Sequence, residues 1–180
     1  MSKLQIWAVS VVGLLAMGSV LGCASQAEPT ASMNLTVRSP AFAANSRIPL
    51  QFTSQGGDSM SPPLRWSQGP PGTRSFAIIV DDPDASNAPF IHWIVFNIPP
   101  AVTGLDPGKL PSACASAVND SGSSAYYGPN PPSGVHHYHF KVFALDENLP
   151  LSSGASKGDV LKAMAGHTLG EGDLVAIYGH

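Results

Sequence analysis

Three short segments carry the residue types that could do chemistry: DDPDAS at 81–86, FIHWIVFN at 90–97 and GPNPPSGVHHYHF at 128–140. Tyr138 offers a hydroxyl group, and His92 and His136 offer N–H donors that become charge-assisted when the rings are protonated. A chain rich in Gly and Pro also lets backbone amides approach a ligand closely. These groups suit a phosphate or another small anion. Asp82 would repel an anion directly, so we expect it to orient one of the histidines.

Apolar runs bounded by turn residues predict the strands that would position these side chains. The runs are RSFAIIV (74–80), FIHWIVFNI (90–98), HHYHFKVFALD (136–146) and DLVAIYGH (173–180). Because side chains alternate across a strand, His136 and Tyr138 should share one face, with His137 and His139 on the other. By the same count, His92 should share a face with the other even-numbered residues of its run.

Weaker patterns predict three further elements. RIPLQFTS (47–54) alternates enough to predict a strand, and a second, short strand is expected near 109–113. SKGDVLKAMAGHTL (156–169) predicts a helix, and Ser156 or Asp159 could cap its first turn. The prediction is therefore a β-rich domain with little helix.

The composition favours an all-β protein of one domain. The chain has 180 residues, of which 12% are charged and 43% are hydrophobic. Its 18 glycines and 17 prolines suit many short strands joined by tight turns. The formal net charge is −3 and the chain has no basic run, so nucleic acid is not an expected partner.

The N-terminus predicts export and a lipid anchor. Lys3 precedes an uncharged, mostly apolar stretch, and SVLG followed by Cys23 resembles the lipobox of bacterial lipoproteins. We expect a signal peptide over 1–22, acyl chains such as palmitate on Cys23, a flexible tether over 23–32 and a globular domain over 33–180. A retained membrane span is the alternative that the length of the stretch leaves open.

Export would hold the domain on the periplasmic or cell-surface side of a bacterial membrane. Ala24 after the cysteine would favour the outer membrane in a Gram-negative source. If Cys23 is acylated, Cys114 has no partner for an intramolecular disulfide.

Several motifs occur in a fixed order along the chain: SPPLRW, DPDA, IHWIVFNIP, NDSG, YGPNPPSGVHHYHFKVFALD and AGHTLGEGDLVAIYGH. Together they resemble the phosphatidylethanolamine-binding protein family, in particular its bacterial branch, often called Raf kinase inhibitor-like. The resemblance covers about Met33 to His180. It implies a Greek-key antiparallel β-sandwich with one or two short peripheral helices and a small anion-binding pocket at one end. The pocket residues that it implies are Asp82, His92, Gly128, Pro132, His136 and Tyr138.

Two positions depart from the family's usual pattern. Ser86 stands where a proline commonly follows DPDA, which should leave that loop less rigid and adds a hydroxyl group. His137 stands where the family commonly has arginine, so a permanent charge and a bidentate donor are missing.

These observations predict a non-enzymatic protein that binds a phosphate-bearing or other anionic small ligand, such as a phospholipid headgroup, without a cofactor. A protein partner is possible but unidentified. The first alternative is a Zn²⁺ or Cu²⁺ site built from His92, His136 and Asp82, although their spacing matches no familiar metal motif. Hydrolysis by Ser, His and Asp is a second, and the chain has no GxSxG motif to support it. Inhibition of a kinase or protease follows from the family's name alone.

Overall fold

The computed structural model describes residues 33–56, 59–86 and 89–180, and the described chain is mostly β-strand. The strands are β1 (Met33–Asn34), β2 (Val37–Arg38), β3 (Leu64–Trp66), β4 (Ser75–Asp82), β5 (Phe90–Ile98), β6 (Gly104–Leu105), β7 (Ala115–Ser116), β8 (Val135–Leu145) and β9 (Thr168–Gly179). One α-helix, α1, spans Lys157–Met164, and two 3₁₀ helices span Leu50–Phe52 and Ser54–Gly56. The predicted signal peptide, Cys23 and the tether lie outside the described residues. Within those residues, no helix is long and apolar enough to cross a membrane.

The strands form two sheets. The larger has the order β1-β9-β8-β4-β5-β7, and the smaller has the order β2-β3-β6. The long strands β4, β5, β8 and β9 pair antiparallel, whereas β1 pairs parallel to β9. The predicted β-rich class is therefore confirmed, but the larger sheet is not antiparallel throughout. The Greek-key connectivity of a sandwich stays a prediction.

Two hydrophobic clusters cover the two faces of the larger sheet. The first includes Tyr138 and Phe140 of β8 together with Leu64 and Trp66 of β3, so it lies between the sheets. The second lies under α1 and includes Val160 and Met164 of that helix. Each fully buried side chain of this size contributes about 1.5–3 kcal/mol to folding.

The predicted helix is confirmed, and its N-cap is Ser156. The Ser156 hydroxyl accepts a hydrogen bond of 3.1 Å from the backbone N–H of Asp159, which satisfies one unpaired donor of the first turn. The helix ends at Met164, five residues before the predicted end.

The predicted strand over 47–54 is wrong. Pro49 starts a 3₁₀ turn instead, and the Phe52 N–H donates to the Pro49 carbonyl at 2.9 Å. A second 3₁₀ turn follows, and the buried residues of this segment, Ile48, Phe52 and Thr53, do not alternate as they would in a pleated strand. Arg47 still forms a single bridge with Ile177 of β9.

One further predicted strand is absent from the described residues, and two strand boundaries differ from the prediction. Residues 109–113 form no strand, because Lys109 closes a turn in which its N–H donates to the Asp106 carbonyl at 3.1 Å. Strand β9 begins at Thr168 rather than at 173. Strand β4 continues through Asp82, so the first two aspartates of DDPDAS are strand residues and not turn residues.

Strand β1 lies against the edge of β9 at a place where only glycine fits. A Cβ atom on Gly172 would collide with the Leu35 carbonyl oxygen. Without that side chain, the Leu35 N–H donates to the Glu171 carbonyl at 2.7 Å. Because β1 runs parallel to β9, the chain enters the domain at the N-terminal end of β9.

Candidate functional site

A cavity of about 260 Å³ lies at the end of the larger sheet, where β4 ends and β5 and β8 begin. Its lining comes from these strands, from the turn after β4 and from the proline-rich segment before β8. The lining residues are Asp82, Ala85, Ser86, Phe90, His92, Tyr127, Asn130, Pro131, Pro132, His136 and Tyr138. Five of the six predicted pocket residues are among them.

Asp82 orients His136. The imidazole Nδ1 of His136 donates to Oδ2 of Asp82 at 2.7 Å, and the Asp82 side chain is only 5% exposed. The other oxygen, Oδ1, accepts from the backbone N–H of Asp84 at 2.9 Å. Both carboxylate oxygens are therefore satisfied within the protein, and Nε2 of His136 has no hydrogen-bond partner among the residues that the structure describes.

His92 is held in the same way by a backbone group. Its Nδ1 donates to the Tyr127 carbonyl at 2.7 Å, and its ring packs edge-on against Tyr138 with centroids 5.2 Å apart. Burial lowers the pKa of His92, so the ring is neutral at neutral pH and Nε2 then carries a lone pair. This Nε2 atom, like that of His136, has no partner within the described chain.

Tyr138 is buried, and its ring contacts that of His92. Burial, followed by the nearby carboxylate of Asp82, raises the pKa of Tyr138 far above its ordinary value. The phenol therefore stays protonated over the physiological range and can donate its O–H. The predicted shared face of His136 and Tyr138 is confirmed by their common place in the cavity lining.

A β-bulge in β5 turns His92 into the cavity. Val80 of β4 pairs with Trp93 and Asp81 pairs with Ile91, so His92 is an extra residue with no partner in the ladder. The prediction that His92 shares a face with Ile94 and Phe96 is wrong for this reason. Those two side chains pack under α1, whereas His92 contacts Tyr138 on the opposite face.

The segment NDSG supports this bulge. The backbone N–H of Ile91 donates to the Asp120 carboxylate at 2.8 Å, and the Asp120 N–H donates to the Ile91 carbonyl at 3.0 Å. The buried amide of Asn119 donates to the His92 carbonyl at 2.9 Å, and that carbonyl also accepts from the Tyr127 N–H. Residues 119–127 thus supply hydrogen-bond partners for backbone groups of Ile91 and His92 at the bulge.

Lys157 of α1 completes this support. Its ammonium lies 2.7 Å from Oδ1 of Asp120. Burial alone would raise the pKa of Asp120, but the hydrogen bonds from Lys157 and from the Ile91 N–H outweigh it and lower the pKa. Asp120 is therefore ionised at neutral pH, as its contact with the bulge requires.

Gly128 is the predicted pocket residue that lies outside the cavity lining. It packs against the backbone of Thr53 and Ser54, where a Cβ atom would lie 2.6 Å from the nearest atoms. Its carbonyl accepts from the Ser54 hydroxyl at 2.8 Å. Gly128 therefore lets the wall that contains Pro132 approach the 3₁₀ segment, and it acts behind the pocket.

The sequence did not single out five lining residues: Ala85, Phe90, Tyr127, Asn130 and Pro131. Asn130 belongs to a polar chain in which the Tyr178 hydroxyl donates to Oε1 of Gln55 at 2.8 Å, and Nε2 of Gln55 donates to Oδ1 of Asn130 at 3.2 Å. This order leaves the Asn130 amide N–H groups without a partner among the described residues, and Asn130 lines the cavity. Gln55 lies 75 residues from Asn130, so no local pattern indicated the contact.

His137 lies on the far face of β8, as predicted, and holds the DPDA turn. Its backbone N–H and its Nδ1 both donate to Oδ2 of Asp84, at 2.8 and 2.7 Å. These bonds lower the pKa of Asp84, the side-chain bond more than the backbone bond. The neutral form of the histidine can supply this contact, so the position does not need an arginine to close the turn.

The metal alternative gains no support from the geometry. Within the described part of the chain, no group of three or more His, Cys, Asp or Glu side chains is arranged to hold a metal ion. Cys114 is half-buried and free, and burial raises its pKa to about 11, which makes it a poor thiolate ligand.

Comparison with known proteins gives a consistent picture. A family model described as phosphatidylethanolamine-binding protein matches residues 38–179. A protein of Methanothermobacter thermautotrophicus named UPF0098 protein is 48% identical over 149 residues, which cover 80% of this chain and 98% of that protein. LppC of Mycobacterium tuberculosis, whose name provisionally assigns it to the lipoproteins, is 38% identical over 146 residues, which cover 80% of this chain and 72% of LppC.

Two solved structures share the fold. YbcL of Escherichia coli, described as a member of the mammalian PEBP family, has a TM-score of 0.76 and 32% identity, covering 82% of this chain and 99% of YbcL. CT736 of Chlamydia trachomatis, described as a homologue of the same family, has a TM-score of 0.76 and 34% identity, covering 83% of this chain and 99% of CT736.

Proposed function

Because the chain belongs to the phosphatidylethanolamine-binding protein family, we propose that it binds a small phosphate-bearing or other anionic ligand in the cavity and catalyses no reaction. The observation that carries the proposal is the common orientation of two histidines. Both use Nδ1 inside the protein, His136 on Asp82 and His92 on the Tyr127 carbonyl, and each keeps Nε2 for a ligand in one cavity.

The remaining groups suit an anion better than a substrate to be cleaved. Tyr138 supplies a hydroxyl donor, and Asn130 supplies amide N–H groups. Asp82 does not compete with the anion, because its oxygens already accept from His136 and from a backbone N–H. The lining contains one serine, Ser86, and the hydrogen bonds of the described residues join it to neither histidine.

The neutral state of His92 adds a condition on binding. With Nδ1 donating to a carbonyl, a neutral ring presents only a lone pair at Nε2, which repels an anionic oxygen. A proton must therefore reach Nε2 when an anion binds, either from solvent or from a protonated oxygen of the ligand. Binding of an anion that carries no proton of its own is therefore coupled to proton uptake from solvent.

Calorimetric titration with O-phosphoethanolamine tests this function on the domain without its signal peptide. We expect His136→Ala and His92→Ala each to weaken binding about 10- to 100-fold, since a hydrogen bond to a charged group contributes about 1.5–3 kcal/mol. His139→Ala is the matched control. Its ring lies on the other face of β8 and pairs with Asp173 at 2.6 Å, so affinity should stay unchanged. Equal affinity in all four proteins would refute the proposal, and Zn²⁺ co-purifying with untagged protein would favour the metal site.

We further propose that the chain is exported and held on a membrane by acyl chains on Cys23. The lipobox-like sequence SVLGC and the similarity to LppC support this assignment. Mass spectrometry of the full chain from a bacterial membrane tests it: Cys23→Ser should abolish both the acyl mass and membrane retention.

A further inference from the structure

We propose that the cavity opens away from the membrane that anchors the chain, so that its ligand is a water-soluble anion and not a lipid headgroup of that membrane. This inference rests on the proposed anion site and on the proposed lipid anchor. It follows from where β1 joins the larger sheet and from how much chain precedes it.

The anchor and the cavity are attached to opposite ends of the same strand. Met33 and Asn34 of β1 pair with Gly170 and Glu171, near the start of β9. The cavity residue His136 pairs with Tyr178, near the end of β9. Since β1 runs parallel to β9, toward the cavity, the chain that precedes β1 enters from the opposite side.

The separation of these two ends is large for a small domain. Tyr178 lies seven positions after Glu171 in β9, and a strand rises about 3.3 Å per residue, so the two places are about 23 Å apart. The cavity lies at the distal end of this length, because His136 and Tyr138 are at the start of β8.

The chain between Cys23 and Met33 is short by comparison. It holds nine residues, 24–32, and a coil of that length has a root-mean-square span of about 17 Å. To bring the cavity to the bilayer, the domain would have to invert, and the nine residues would have to run back along the whole sheet. That span exceeds the coil value and approaches the fully extended limit of about 30 Å, which costs chain entropy.

The cavity mouth also lacks the charge that would hold it against a bilayer. Among the described residues that line the cavity, none is Lys or Arg, whereas Asp82 belongs to the lining and Asp84 lies beside it. The surface of an anionic leaflet attracts a basic segment by about 1 kcal/mol per Lys or Arg. The mouth therefore gains nothing electrostatically from facing such a membrane.

The heights of two fluorescent donor dyes above the bilayer, measured by energy transfer, test the orientation directly. The full lipidated chain is reconstituted into vesicles of phosphatidylethanolamine and phosphatidylglycerol that carry an acceptor dye at the surface. Two variants carry one donor dye each in a Cys114→Ser background, Val135→Cys at the cavity end and Glu171→Cys at the anchor end; both positions are exposed. We expect the donor at 135 to lie about 20 Å farther from the bilayer than the donor at 171. Equal heights, a lower donor at 135, or no retention on the vesicles would overturn the inference.

Ligand competition separates a failure of the orientation from a failure of the anion site. The affinity for soluble O-phosphoethanolamine is measured on vesicles with phosphatidylethanolamine and on vesicles where phosphatidylcholine replaces it. We expect the same affinity on both, because the headgroups of the anchoring membrane do not reach the cavity. Weaker apparent affinity on phosphatidylethanolamine vesicles would overturn the inference. If O-phosphoethanolamine binds on neither kind of vesicle, the anion site is wrong, and the choice of a soluble ligand is overturned with it.

Discussion

Replacing Asn119 with alanine should damage both stability and anion binding, because this side chain holds the bulge that aims His92. Its amide donates to the carbonyls of His92 and Ala125, and its Oδ1 accepts from the backbone N–H groups of Ser121 and Ser123 and from the Ser121 hydroxyl. Asn119 itself is 5% exposed. Asn119→Ala therefore removes five hydrogen bonds from one buried position.

The expected loss of stability is smaller than the sum of five hydrogen-bond energies. Ser121 and Ser123 are exposed, so water can replace the three bonds that Oδ1 accepts. The two bonds donated to carbonyls are less accessible to water, because Asn119 is 5% exposed, and a hydrogen bond contributes about 0.5–1.5 kcal/mol to stability. We expect the free energy of unfolding to fall by about 3 kcal/mol and Tm to fall by about 5–10 °C. Movement of His92 should weaken O-phosphoethanolamine binding about tenfold, which corresponds to about 1.4 kcal/mol.

Asn97→Gly is the matched control at the other end of β5. The Asn97 side chain also makes two hydrogen bonds, with the carbonyl and the N–H of Leu149, at 3.0 and 2.8 Å. Glycine accepts its φ of 58° without strain, so the control removes the bonds alone. Chemical denaturation should show a comparable loss of stability, while calorimetry should show unchanged affinity. If Asn119→Ala binds within twofold of the wild-type protein, or if Asn97→Gly loses as much affinity, the bulge does not position the ligand site.

Three further predictions concern titratable groups. Affinity for sulfate, which does not titrate between pH 5 and 9, should rise as the pH falls. At pH values above the pKa of His92, the rise should be up to tenfold per pH unit. An affinity that calorimetry finds independent of pH would exclude proton uptake. Because burial lowers the pKa of His92, folding disfavours its protonated form, and the contribution of this group to stability should decrease below about pH 6.5 in denaturation measurements. In His137→Ala, the pKa of Asp84 measured by carbon NMR should rise toward 3.8, and stability should change by less than about 1 kcal/mol because the pair is exposed. An unchanged pKa would contradict the assigned hydrogen bond between the His137 ring and Asp84.

The long strands could be predicted from the sequence because their burial pattern is simple. The run 90–98 coincides with β5, and the alternation in β8 correctly separates Tyr138 from His137. The short segments could not be predicted equally well. In 47–54 the alternation is too brief to distinguish a pleated strand from a 3₁₀ turn that starts at Pro49.

The candidate site could also be predicted only in part. The motifs indicated Asp82, His92, His136 and Tyr138, and all four line one cavity. The orientation of His92 could not be predicted, because Ile91, Trp93 and Ile94 are all apolar and all buried, so no change in polarity marks the bulge. The pairing of Asp82 with His136 joins positions 54 residues apart, which only the register of β4 against β8 determines.

The parallel contact between β1 and β9 also determines how the domain would bear a mechanical load. A pull on the N-terminal chain acts along the axis of β1, so the hydrogen bonds to Gly170 and Glu171 are strained together in shear rather than opened one after another. The load then passes into β9 and from there into its long pairing with β8, at the end farthest from His136. A force applied to the N-terminal chain would therefore reach the pairing of β1 with β9 before it reaches the residues that line the cavity.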